Sequence, residues 1–305
     1  MKIRLLAVPL ALAMVAAPLS AQAAGDDDGA RGAEPSASQE EGLALSIEPP
    51  ARPRSIFAGD WIALGAGFVY ANSYSGSDES RVIPVPVVAG NYKGIGVRPR
   101  AAGLSFNFLE TMRGDVTFSA GPIFRFRSDR AGTIKDDVVA AAGKLETAIE
   151  VGGQAGVTFN GVFTGYDRVS AGIDVLFDVA GAHRGTIIDP GISYSTPLGP
   201  GTIVALSAGA QYVDGDFADY YYSVTPAQSA ASGLPEFDAD SGWHKAGATL
   251  AMGFDLNENF RDGGLIFGGA LGYRRMLGDA AATPFTSLRG DADQLTAIFG
   301  VAYVF

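Results

Sequence analysis

The stretch LTAIFGVAYVF, residues 295–305, decides how the rest of the chain is read. Leu295, Ala297, Phe299, Val301, Tyr303 and Phe305 fall on one side of an extended strand, because successive strand side chains point to opposite faces. Thr296, Gly300 and Ala302 on the other side are small, with Ile298 and Val304 as exceptions. The sequence stops inside this apolar strand, whereas a soluble chain usually closes on frayed polar residues. A strand that closes a barrel has a partner along its whole edge, so this ending is expected to be the last strand of one.

The same alternation recurs upstream. Ile62, Leu64, Ala66, Phe68 and Tyr70 share a face opposite Ala63, Gly65 and Gly67. Ile149, Val151, Ala155, Val157 and Phe159 oppose Glu150, Gln154 and Thr158. Val169, Ala171, Ile173, Val175 and Phe177 oppose Arg168, Ser170, Asp174 and Asp178. A soluble sandwich would bury the apolar face; a membrane barrel turns it to lipid. Three features favour the barrel. The strands run about 11–16 residues, long enough for a tilted span. Tyr70, Tyr92, Phe124, Phe126, Tyr273 and Tyr303 lie near strand ends, where interfacial girdles form. Glycine is frequent on the face opposite the apolar one. The fold expected is all-β, a transmembrane antiparallel up-and-down β-barrel over residues 58–305.

The N-terminus agrees with that destination. Residues 1–24 carry Lys2 and Arg4, the run LLAVPLALAMVAAPL and an Ala21-Gln22-Ala23 cleavage pattern, which together read as a secretory signal peptide; an uncleaved anchor is the alternative. Losing Lys2 and Arg4 takes the formal charge from −11 to −13, which argues against a nucleic-acid partner. The chain has no cysteine, so it carries no disulfide, thiolate site or thiol-linked lipid anchor. Residues 25–57 are acidic, rich in Pro, Ser and Gly and poor in aromatics, and are expected to be a disordered leader, with a partner-binding tail as the alternative. Outer-membrane lipid of a Gram-negative bacterium is the expected surroundings.

Counting back from Phe305, long connections at 278–292, 215–241 and 129–144 alternate with short ones at 257–261, 197–200, 160–163 and 109–113. The connection at 181–185 falls among the long ones but is brief. Bacterial barrels keep short turns periplasmic and long loops outside, which puts Phe305 at the periplasmic rim. Eleven strands emerge, an odd number that single-chain bacterial barrels avoid. Pro84, Pro86 and Pro99 are expected to interrupt pairing within 80–109, so that one segment splits and the total reaches twelve; ten is the alternative.

Chemistry-bearing patterns are sparse. His183 and His244 have no local spacing suited to a metal site or a hydrolase triad. Gly65-x-Gly67 and Gly94-x-Gly96 open no helix and lack the phosphate-loop mechanism. No cofactor and no catalytic residue is expected. The inward face is expected to hold Arg125, Arg127, Glu150, Gln154, Arg168, Asp174 and Arg274. Both signs together read as a self-satisfied network plugging a narrow lumen, and otherwise as a narrow polar channel. The loop 215–241, with Phe217, Tyr220, Tyr221, Tyr222 and Phe237, is expected either to bind a surface ligand or to fold over the mouth.

Several blocks carry a resemblance. Tyr74-Ser75-Gly76-Ser77-Asp78 followed by Arg81-Val82-Ile83-Pro84-Val85-Pro86 resembles the Y-x-G-S-D…P-x-P signature of MipA/OmpV outer-membrane proteins. Asp219-Tyr220-Tyr221-Tyr222-Ser223-Val224 with Ser232-Gly233-Leu234 is similar to that family's D-x-Y-Y-x-V…S-G-L block. Leu277-Gly278-Asp279-Ala280 with Thr283-Pro284 is similar to its L-x-G-D-A…S-P element, with Thr in place of Ser. The ending Gly300-Val301-Ala302-Tyr303-Val304-Phe305 resembles its G-x-x-Y-x-F close. The resemblance implies a non-catalytic barrel that scaffolds a lytic transglycosylase and a penicillin-binding protein, or else an adhesin or porin-like protein. It brings no catalytic residues. Tyr74, Ser77, Asp78, Tyr220, Tyr221 and Tyr222 become candidate loop-interaction residues. Tyr303 and Phe305 resemble the signal read by the barrel-assembly machinery.

Overall fold

A computed structural model describes residues 55–305; the signal segment and residues 25–54 lie outside the described residues. Thirteen strand segments form one antiparallel sheet. They are β1 (Trp61–Asn72), β2 (Ser80–Tyr92), β3 (Ile95–Arg100), β4 (Gly103–Asn107), β5 (Leu109–Arg113), β6 (Val116–Arg127) and β7 (Ala148–Asn160). β8 (Arg168–Asp178), β9 (Thr186–Gly199), β10 (Thr202–Val213), β11 (Gly242–Asp255), β12 (Gly264–Met276) and β13 (Asp293–Val304) complete it. The ring closes because β1 pairs with β13, and β4 with β6.

β4 and β5 are two halves of one crossing. Gly103–Ser105 pair with Ile123–Arg125, and Leu109–Arg113 pair with Val116–Ala120, both on β6. Only Phe108 separates them, so thirteen segments make twelve spans. The segment expected at 94–108 does split, at Ala101–Ala102, between β3 and β4. Residues 109–113, expected to be a short turn, are strand instead; the turn follows at Gly114, whose φ is +60°. The five residues of β5 are all exposed and do not alternate, so they carry no period-two signal.

Pro84 and Pro86 do not interrupt β2, which pairs with β1 from Trp61↔Asn91 to Asn72↔Ser80. The reason lies on the other edge. β3 pairs with β2 only at Gly90–Tyr92, so the prolines' missing N–H groups face no ladder there.

Burial follows the alternation. Leu64, Phe68, Leu271, Leu295 and Phe299 are exposed on the outer face, as lipid requires. Val69, Val85, Val87 and Ala302 cluster on the inner face of β1, β2 and β13. At the β1–β13 seam the strands approach so closely that a Cβ on Gly65 would sit 2.0 Å from the Val301 carbonyl oxygen. Only glycine fits that contact. Among the described residues no helix is long and apolar enough to cross a membrane.

The chain enters the barrel slightly earlier than its composition implies. Ser55 accepts a hydrogen bond from the Phe57 amide and caps a 3-10 turn at Ile56–Ala58. Ile56 N–H donates to the Arg261 carbonyl at 2.8 Å, and Phe57 packs edge-on against Trp61 at 4.9 Å.

At the seam, Phe305 N–H donates to the Ile62 carbonyl at 2.9 Å and the Phe305 carbonyl accepts from Ile62 N–H at 3.4 Å. Deleting Phe305 removes both bonds and the ring whose centre lies 4.7 Å from that of Tyr303. The deletion is expected to lower the yield of assembled barrel more than truncation of any outer loop. The heat-modifiable band on a gel reads this directly, and normal folding of the deletion would refute it.

Candidate functional site

Six connections reach the outer end, and four of them build a layer over the mouth. Residues 73–79 join β1 to β2, and the segment between β6 and β7 holds α1 (Asp137–Ala141). The segment between β10 and β11 holds α2 (Gly215–Tyr222) and α3 (Pro226–Ser232). The segment between β12 and β13 holds α4 (Gly278–Ala282) and α5 (Pro284–Ser287).

Local sequence explains the starts of α1, α2 and α3. Asp136 accepts from the Val138 and Val139 amides at 2.9 Å and starts α1. Asp214 accepts from Phe217 N–H at 3.1 Å and starts α2. Thr225 and Gln228 form a capping box on α3, with Pro226 in its first turn. Gly233 ends that helix at φ +76°, a left-handed position that favours glycine.

These helices pack aromatic side chains against one another over the mouth. Phe217, Tyr221 and Tyr222 are 1–3% exposed and pack with Val213, Ala218, Met276 and Ala280. A second cluster joins Tyr74, Val139, Val224, Leu234 and Phe285 across four loops. Hydrogen bonds stitch the layer: Thr283 Oγ1 donates to the Tyr222 carbonyl at 2.6 Å, and Asp291 N–H to the Gly76 carbonyl at 2.9 Å. The Arg130 guanidinium lies 3.8 Å from the Phe285 ring centre and donates to the Tyr221 carbonyl at 3.1 Å. Burial, with Asp136 nearby, pushes the Tyr74 hydroxyl up to about 12. It therefore stays protonated and donates to the Phe285 carbonyl at 3.4 Å.

Beneath the cap, the inner wall of β6–β9 is charged. Glu150 is fully buried and accepts from both Arg125 Nε and Arg127 Nε, the latter at 2.6 Å. His183 Nε2 lies 3.3 Å from the same carboxylate. Arg125 Nη1 also donates to Asp189 Oδ2 at 2.8 Å. Arg127 in turn lies 4.9 Å from the Phe217 ring centre, which ties the network to the cap. Burying this much charge is tolerable only because almost every member is paired.

The expected inward residues divide accordingly. Arg125, Arg127 and Glu150 meet in one network. Gln154 donates instead to Asn107 Oδ1, Arg168 to Asn160 Oδ1 at 3.2 Å, and Asp174 faces Arg100 at 3.6 Å. Arg274 joins none of these. Sequence reading missed Asp189, hidden beside Pro190, and His183, whose loop position gave no sign of its buried partner. Among the loop candidates, Tyr74, Ser77, Tyr221 and Tyr222 are buried inside the cap and hold it together. Only Asp78 is exposed, while the half-buried Tyr220 accepts from the Glu146 amide at 2.8 Å.

Asp136 also binds Arg289 Nη2, at 2.6 Å. Burial alone would raise its pKa; the Arg289 hydrogen bond and the two helix amides outweigh burial and hold the carboxyl below its usual value. The interaction thus stabilises the cap above the ordinary carboxylate pKa of about 3.9 and fades as pH falls through the lowered value. Asp136→Ala is expected to cost about 1–2 kcal/mol at neutral pH, and the difference from the parent should vanish in stronger acid. Amide exchange over residues 137–141 checks both statements.

Among the described residues, no group of three or more His, Asp or Glu is arranged to hold a metal ion. Both ring nitrogens of His183 are engaged, by Glu150 and by Gly185 N–H at 3.0 Å.

The chain is similar in structure to an outer membrane channel of Pseudomonas putida F1, at 12% identity with a TM-score of 0.44. That alignment covers 85% of this chain and all of the other. It is also similar to the outer membrane protein OprD of Pseudomonas aeruginosa, at 14% identity and a TM-score of 0.36, over 80% of this chain and 65% of that one. OmpT of Vibrio cholerae aligns at 7% identity and a TM-score of 0.35, over 81% and 97%. No curated protein matches in sequence. The family described as MltA-interacting protein MipA matches residues 64–305, from the first strand to the closing phenylalanine. With the resembling blocks of β1–β2, the tyrosine run and the terminal strand all inside that span, the chain belongs to the MipA family.

Proposed function

We propose that this barrel is a non-catalytic outer-membrane scaffold that presents its periplasmic end to murein enzymes, a lytic transglycosylase and a penicillin-binding protein. The family's description as MltA-interacting supplies the partner class. The observation that carries the reading is the helical layer over the outer mouth, where Phe217, Tyr221 and Tyr222 are buried against the protein's own residues. The tyrosine-rich loop is then a structural lid, and a periplasmic partner meets only the short-turn rim. That rim offers Phe163 and Tyr166, each 76% exposed, and the exposed Leu198 near the end of β9. Aromatics of this kind anchor protein interfaces as well as membrane boundaries.

Crosslinked co-purification from envelopes tests the proposal. A lytic transglycosylase should come down with the parent protein and be lost with Phe163→Ser/Tyr166→Ser. Recovery of no murein enzyme by an assembled parent barrel would defeat the reading. A narrow channel is the competing reading, favoured by the exposure of Arg274 on the inner wall.

A further inference from the structure

One row of side chains below the cap is left with unmet polar atoms of both kinds. Asp189 and Gln211 face each other across β9 and β10, since the register runs from Ile188↔Tyr212 to Gly191↔Gly209. Gln211 pairs with Lys245 on β11, and Lys245 lies diagonal to Arg274 through Lys245↔Met276 and Gly247↔Arg274. All four belong to the inward-facing set of their strands. The Arg274 stem passes so close to Gly247 that a Cβ there would sit 2.7 Å from its Cγ. Glycine at 247 therefore leaves room for the inward guanidinium.

The acceptors in this row are incomplete. Asp189 Oδ1 and Gln211 Oε1 are buried without a hydrogen-bond partner, and Gln211 is only 6% exposed. The donors are incomplete too. Arg125 Nη2 is buried and unpartnered, and among the described residues Lys245 and Arg274 make no ion pair. Orphaned buried groups of this kind are costly, and several together on one wall are uncommon in a settled core. Their arrangement is also ordered. Acceptors stand on β9 and β10, cations on β11 and β12, across a wall about 14 Å wide at the usual strand spacing.

We propose that this row binds a small zwitterion, a free amino acid or short peptide, with its ammonium at Asp189 and Gln211 and its carboxylate at Lys245 and Arg274. Separated donor and acceptor ends favour such a ligand over a compact oxyanion, which would satisfy the cations and leave both acceptors unmet. The helical cap closes the outer side, so the ligand arrives from the short-turn end.

The test is saturation-transfer NMR on the full-length barrel in non-ionic detergent, with L-alanyl-L-alanine, its N-acetyl form and its C-terminal amide. The free dipeptide should bind about tenfold more tightly than either blocked form, because a site built to pair a group rejects the analogue lacking it. Lys245→Met/Arg274→Met should abolish dipeptide binding while the heat-modifiable band persists. Gln211→Leu, which leaves both cations in place, should reduce the preference for the free amine over the acetyl form. No binding to the parent, equal binding of all three probes, or undiminished binding by a folded double variant would overturn the proposal. Should the double variant fail to fold, an unchanged preference in Gln211→Leu would overturn it alone.

Discussion

Glu150→Ala is expected to destabilise the barrel by about 3–5 kcal/mol, the usual cost of removing one partner from a buried charge network. Glu150 is fully buried and is the shared acceptor for Arg125 and Arg127, with His183 also against it. Without it, Arg127 keeps no ion-pair partner among the described residues, and Arg125 keeps only Asp189. Arg127 also underlies the Phe217 ring, so its displacement should loosen the cap as well. Glu150→Gln retains a hydrogen-bond acceptor without the charge and should fall between the two. The control is Arg275→Ala. Its pair with Asp293 at 2.8 Å is well exposed, and its loss should leave the unfolding midpoint nearly unchanged. Unfolding midpoints in a fixed detergent or lipid measure all three. Equal behaviour of Glu150→Ala and Arg275→Ala would mean that the inner wall is as solvated as the outer rim.

Phe217→Ala should open the cap while leaving the barrel standing. Phe217 is 1% exposed, and its ring centre lies 4.7 Å from Tyr221, 4.9 Å from His183 and 5.4 Å from His244. Large-to-small changes at such sites cost about 3–5 kcal/mol. Phe217 sits on α2, and its strand partners Val213 and Met276 keep their ladder hydrogen bonds, so the cooperative unit chiefly affected is the loop layer. Amide exchange should accelerate across 215–241 and 278–292, with the strands unchanged and the heat-modifiable band retained. Uniform acceleration across the strands would show that the cap and barrel are one cooperative unit.

Much of this architecture was legible from residue order. The closing strand pairs with β1 from Ala63↔Val304 to Tyr70↔Ala297, where its alternation placed it. Period-two reading failed where the period itself is absent. β5 has no buried face, so Leu109–Arg113 resembled a turn. β2 passes through two prolines because one of its edges lacks a partner, a tertiary circumstance that no local pattern encodes. The cap helices left local signals, in Asp214 before α2 and Thr225-Pro226-Ala227-Gln228 at α3, and of the two expectations for the tyrosine run the burial of Tyr221 and Tyr222 fits folding over the mouth.

The inner wall was legible only as a set. Alternation names the residues that face inward, yet which of them meet depends on stagger between strands. Arg125 reaches Asp189, three strands from its own, and Asp174 reaches Arg100 across the barrel. Arg274, expected in the network, instead stands beside Lys245, whose neighbour His244 had drawn the attention.

Conductance in planar bilayers tests the sealed mouth most directly. With the helices of 215–241 and 278–292 in place, the reconstituted full-length barrel should be silent across the voltage range, and Phe217→Ala should introduce openings. Steady ohmic conductance from the parent protein, equal to that of Phe217→Ala, would contradict the account.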